Sequence, residues 1–154
     1  MDDLKNFNIQ QGIEHLRANF GFDFVGVALV QSAERHFELK WEFVTGNQSN
    51  RYRRIVLQSG KGIAGHVFKT GKPFLVEEVE KMFEEQDLFN YPIVVSEGLK
   101  SFGAVPLYKY NRVTGVLLVG YRVGKKLTLQ GFEDFKQAIG PGFGPFYNGE
   151  KVKE

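Results

Sequence analysis

Three groups of residues in this chain have types and spacing that could do chemistry, and each needs a different setting. The first is Gly60-Lys-Gly-Ile-Ala-Gly65, a G-x-G-x-x-G pattern of the kind that lets a backbone approach a phosphate. A dinucleotide fingerprint also needs a preceding strand, a long following helix and an acid about twenty residues on. Residues 54–58 (RIVLQ) supply the strand, but Gly71 and Pro73 end the helix early, and Glu80 lies inside an acidic run. With Val67 the stretch matches the glycine loop of protein kinases, yet no HRD or DFG segment follows. A Walker A loop needs Gly-Lys-Ser/Thr, and Gly65 is followed by His66 and Val67. Two readings remain. One is a sharp strand-to-helix turn, which glycines serve for structural reasons alone. The other is a small-anion site on the first helical amides, around Ile63 and Ala64, which lack intrahelical acceptors and carry partial positive charge. From the pattern alone, the turn is the simpler reading.

The second group is ionisable. Glu77, Glu78, Glu80, Glu84, Glu85 and Asp87 crowd one segment, but no pair stands isolated among apolar residues, so a solvated face is expected, with a partner-docking surface as the functional alternative. His15, His36 and His66 are scattered and share no metal-ligand spacing, so no metal site is expected. The third group is basic: Arg51, Arg53 and Arg54 around Tyr52, with Lys61, Lys69 and Lys72. A nucleic-acid surface would interleave several aromatic rings with such charges. These residues instead suit solubility and the attraction of a small anion. The net charge of +2 gives no reason to expect a nucleic-acid or membrane partner.

The absence of cysteine excludes disulfides, thiolate nucleophiles, cysteine-bound zinc, iron–sulfur clusters and thiol redox sensing. No catalytic constellation stands out, so no enzyme and no cofactor are expected. The opening MDDLKNFNIQ is too acidic and polar for a secretory signal. The longest apolar run, residues 113–121, is too short to span a bilayer. A cytoplasmic, soluble protein is the expectation.

Positioning any site falls to the elements. Ile9, Ile13, Leu16 and Phe20 recur at helical spacing, with Gly21 as a stop. Residues 22–30 are apolar on both alternations and suit a central strand. In HFELKWEFV (36–44), Phe37, Leu39, Trp41 and Phe43 fall on one face of a second strand. Residues 54–58 read as a third strand, 63–69 as a short helix and 73–76 as a fourth strand. Residues 77–87 read as a solvated helix or loop, and 88–95, apolar but broken by Pro92, as a buried irregular loop or a strand. Residues 101–108 and 113–121 make a hairpin around Asn111. Thr128 caps a last helix bearing Phe132, Phe135 and Ile139, which Pro141 stops. The order predicts one α+β domain over 1–154, a mainly antiparallel sheet with helices packed against it. Its core is expected at about 22–139, with 140–154 as a Gly/Pro-rich tail.

LQSGKGIAGHVFKTGKPFLV, a long loop and then LKSFGAVPLYKYNRVTGVLLVG together resemble the signature of GAF domains, from Phe22 to about Phe135. Within that family the chain is similar to NreA-type nitrate receptors, at Trp41, at Ile63-Ala64 after Gly62, and at Tyr91-Pro92-Ile93. The resemblance implies a buried nitrate site. In it the amides of Ile63, Ala64 and Ile93 and the indole N–H of Trp41 donate to nitrate oxygens. Tyr91 lines the pocket, and Pro92 shapes the covering loop. It also implies a sensor histidine kinase as partner and leaves a homodimer open. By pattern alone Trp41 reads as core; the resemblance makes it a ligand contact. Other GAF ligands, such as a cyclic nucleotide or purine, and a ligand-free dimerisation module are the alternatives.

Overall fold

The computed structural model describes residues 7–31, 37–140 and 142–147. Helix α1 (Ile9–Phe20) starts where the Asn8 side chain accepts from the Gln11 N–H and stops at Gly21 in the left-handed region. Its apolar stripe buries Ile13 and Leu16. Then come β1 (Phe24–Val30), β2 (Leu39–Thr45), a 3-10 turn (Arg51–Arg54), β3 (Val56–Leu57), α2 (Gly62–Thr70), β4 (Phe74–Val76) and α3 (Val79–Met82). A second 3-10 turn (Glu85–Asn90), α4 (Pro92–Glu97), β5 (Ser101–Lys109), β6 (Arg112–Tyr121), α5 (Leu129–Ala138), β7 (Gly142–Phe143) and β8 (Phe146–Tyr147) follow.

The strands form one antiparallel sheet in the order β3-β2-β1-β6-β5-β8-β7, with β4 also paired to β5. Because β1 and β6 lie inside the sheet, both of their faces are buried, which is why 22–30 is apolar on both alternations. On one face Val25, Val27, Leu117 and Val119 pack with α1, α5 and the terminal hairpin. On the other, Phe24, Ala28, Val116 and Leu118 pack with α2, α4 and Trp41. The α+β sheet-and-helix architecture expected from the sequence is the one observed.

Several local expectations need correction. Residues 54–58 are mostly not strand: Arg51–Arg54 wind into a 3-10 turn and only Val56–Leu57 pair, with Leu39 and Lys40. Residues 88–95 are neither irregular nor extended but end a 3-10 turn and begin α4. Pro92 sits in the first turn of α4, where a missing N–H costs nothing and its fixed φ suits the helix. Strand β2 does not keep four aromatic or apolar residues on one face. Val27 pairs with Phe43 but Ala28 with Trp41, so Glu42 is an extra residue in a bulge. The bulge sends Phe43 to the opposite face from Trp41. Phe37 precedes the strand, at φ 59° and 44% exposed; His36 lies outside the described residues.

Residues 142–147 are not tail but a hairpin that extends the sheet through Tyr108, burying Phe143 and Phe146. Pro141 also lies outside the described residues. Thr128 caps α5 as expected, its hydroxyl accepting from the Gly131 N–H at 3.0 Å.

Candidate anion-binding site

The glycine loop is first a turn. Gly62 has φ +67°, and a Cβ there would sit 2.8 Å from Leu57. A Cβ on Gly65 would lie 2.2 Å from the carbonyl oxygen of Gln58, a backbone atom that cannot swing away. The two glycines thus bring α2 against the end of β3. The Gly60 N–H closes the loop on Gly65 O at 2.8 Å.

That close docking also buries the start of α2. The ladder begins with the Gly65 N–H donating to Lys61 O at 3.0 Å, so the N–H groups of Gly62, Ile63 and Ala64 precede it. No side chain caps this end, and all three residues are buried. Trp41 is 3% exposed in the same apolar cluster as Ile63 and Ala64, and its indole Nε1 is buried with no hydrogen-bond partner. An unpaired buried donor costs about 1–3 kcal/mol. The Trp41 indole and the first amides of α2 therefore leave donors without a protein acceptor in this core.

Helix α4 supplies a further N–H. Its first bonds run from the N–H groups of Val94 and Val95 to Tyr91 O, at 3.0 and 3.3 Å, so the Ile93 N–H also precedes the ladder. Ile93 is buried in the same cluster, α4 packs on α2, and Tyr91 lies at the cluster's edge. The Tyr91 ring is tilted on Phe83 with centroids 4.7 Å apart. The structure therefore gathers Trp41, Ile63, Ala64 and Ile93 in one buried cluster, with Tyr91 and Pro92 at the start of α4.

The only buried polar or charged residues among those described are Thr45, Glu97 and Ser101, so no lysine, arginine or histidine is buried with these donors. A site of neutral N–H groups suits a monovalent, weakly basic anion better than a phosphate. His66 is exposed beside Phe74, and His15 is exposed on α1. Among the described residues no three histidine, aspartate or glutamate side chains gather for a metal, and no helix is long and apolar enough to cross a membrane.

The GAF domain family model matches residues 9–133. This chain belongs to the GAF domain family. Two solved structures of Staphylococcus aureus NreA, mutated in its nitrate binding site, are similar to it. One shares 36% identity over 83% of this chain and 93% of that one, with a TM-score of 0.76. The other shares 38% over 77% and 88%, with a TM-score of 0.74. A hypothetical protein from S. aureus shares 39% over 77% of this chain and 96% of that one, at a TM-score of 0.74. A free methionine-R-sulfoxide reductase from Neisseria meningitidis, at 23% identity over 77% of this chain and 66% of that one, with a TM-score of 0.60, shares the fold alone. No curated protein sequence matches.

Sequence reasoning missed two residues of this GAF domain. Glu97, at the end of α4, is fully buried, and Arg122, just past β6, donates to its Oε1 at 2.7 Å. Neither stood out, because they are far apart in the chain and each is a lone charge at the end of an apolar run, where a surface position is the ordinary reading.

Proposed function

We propose that this GAF domain, acting as one unit over 1–154, is a cytoplasmic nitrate receptor and not an enzyme, and that its occupancy modulates a partner sensor histidine kinase. The observation that carries the reading is the buried, unpartnered Nε1 of Trp41 in one cluster with the uncapped first amides of α2. The likeness to NreA proteins described by their nitrate binding site supports nitrate as the anion.

Nitrate is planar and monovalent with three equivalent oxygens, so the N–H groups of Ile63, Ala64, Ile93 and Trp41 can share them. Hydrogen bonds to a charged partner contribute roughly 1.5–3 kcal/mol each. After desolvation and ordering costs, four give about micromolar to millimolar affinity. Since the donors are buried, the anion enters when the covering segment, residues 85–97, moves aside. Closure over nitrate then favours one position of that segment, and the kinase distinguishes the two positions. The coupling is bounded by the anion's differential affinity for them.

Calorimetric titration with nitrate tests the proposal, with sulfate, phosphate and a cyclic nucleotide as controls and Trp41→Phe beside the wild type. Saturable heat with nitrate alone, weakened about tenfold or more in the variant, is expected. No heat with nitrate, or equal binding by the variant, would discard the nitrate reading.

A further inference from the structure

The covering segment is held very differently at its two ends. Its first part, Glu85–Asn90, buries no residue, and Phe89 is 84% exposed. Its last part is anchored in several ways. Gly98, at φ +62°, caps α4 through its N–H to Val94 O and Val95 O. Leu99 is buried, and the Lys100 N–H donates to Tyr121 O at 2.9 Å.

The strongest anchor is Arg122. Its Nη2 donates to Glu97 Oε1 at 2.7 Å and to Gly46 O at 3.0 Å. Its Nε donates to the Glu97 carbonyl at 2.6 Å, and its Nη1 to Asp23 O at 3.3 Å. The Arg122 N–H meets Asp23 Oδ2 at 2.6 Å, and the Gln48 N–H donates to Glu97 Oε1 at 2.8 Å. One guanidinium therefore ties the end of α4 to the turn before β1, the loop after β2 and the end of β6. A planar fork of fixed donors can hold several acceptors at once, which a lysine ammonium cannot do with the same geometry.

We infer that the Arg122–Glu97 pair is the fixed pivot of the covering segment, so that Tyr91 and Ile93 open and close over the anion site while residue 97 stays in place. Arg122 and Glu97 are thus positioning residues, which touch no anion and set where the Ile93 amide stands. The inference rests on the proposed anion site for its purpose, but its mechanical content does not depend on nitrate.

Hydrogen exchange of the full chain tests it, read with and without nitrate in wild type, Arg122→Ala and Glu97→Gln. In wild type without nitrate, the hydrogen-bonded amides within 88–93, such as that of Tyr91, should exchange about tenfold faster than the hydrogen-bonded amides at 97–100, as a segment opening from one end requires. In Arg122→Ala the amides at 97–100 should rise to the rate of 88–93 while α1 and α5 keep their protection. Its nitrate Kd should rise about tenfold, mostly through faster release. If Arg122→Ala does not fold, Glu97→Gln decides. It keeps the accepting Oε1 and drops the charge, so exchange at 97–100 should quicken about threefold with α1 and α5 unchanged.

Equal exchange at both ends in wild type overturns the pivot. So does a folded Arg122→Ala with protected 97–100 or unchanged affinity, or a Glu97→Gln in which 97–100 does not respond. A wild type that binds no nitrate would remove the proposed function instead, and the exchange asymmetry would still decide the pivot.

Discussion

The two faces of the sheet are built to different rules. On the α1/α5 face, phenylalanines lock edge to face: Phe135 stands nearly perpendicular to Phe20 and Phe22, with centroids 5.8 and 5.6 Å away. The Ser101 hydroxyl, buried at its margin, accepts from the Leu127 N–H at 2.7 Å. The α2/α4 face is also well buried, yet it holds the unpartnered Nε1 of Trp41 and the uncapped amides of α2. The first face leaves its polar groups paired. The second leaves donors unpaired, and under the proposed function these are the groups that hold the anion.

Substitutions can break or sharpen that contrast. The largest effect is expected from Phe135→Ala, which empties a fully buried ring site. It should cost about 3–5 kcal/mol in urea unfolding, while the protein that remains folded binds nitrate as before. Weaker nitrate binding in that folded fraction would show that the faces are not separable.

Trp41→Phe should behave in the opposite way. Beyond its loss of affinity it removes an unpaired buried N–H, so stability without ligand should stay within about 1 kcal/mol of wild type despite the smaller ring. A loss of about 3 kcal/mol or more would make Trp41 an ordinary core residue. Gly65→Ala joins the two properties, because its Cβ meets the Gln58 carbonyl and α2 must shift. A stability loss of about 1–3 kcal/mol together with weaker nitrate binding is expected from thermal melts and calorimetry.

The smallest effect is electrostatic. Hydrogen bonding to Lys126 holds the Glu78 carboxyl below its ordinary value. A depressed carboxylate pKa contributes stability above its unfolded value and loses it as pH falls through the folded one. The pair is exposed, so solvent screens it. Lys126→Ala should leave the acid-unfolding midpoint unmoved, and a clear shift would place a stability determinant outside both cores.

Much of this was legible in the sequence, for identifiable reasons. Helical spacing with Asn8 and Gly21, or Thr128 and the Phe132–Phe135 stripe, is local, so α1 and α5 could be read directly. The β5–β6 hairpin was equally plain. What escaped depends on partners distant in sequence. No glycine marks the bulge at Glu42, so Phe43 looked like a neighbour of Trp41. Pro92 within an apolar run looked like a helix breaker, although at the first turn of α4 it favours the helix. The Gly/Pro composition after Ile139 hid a hairpin whose phenylalanines find their cover only in the folded sheet. At the candidate site, spacing pointed to Ile63 and Ala64. Trp41, Tyr91, Pro92 and Ile93 came from family resemblance, and Glu97 with Arg122 from neither.

The bulge that separates Trp41 from Phe43 has an optical consequence. Trp41 is the single tryptophan of the chain, and it lies buried in the same core cluster as Ile63, Ala64 and Ile93. Excited at the long-wavelength edge of its absorption, where the tyrosines contribute little, the protein's emission comes from one indole in one environment. Its wavelength and lifetime therefore report on the candidate pocket with no background from the rest of the fold, so the chain carries its own unlabelled probe.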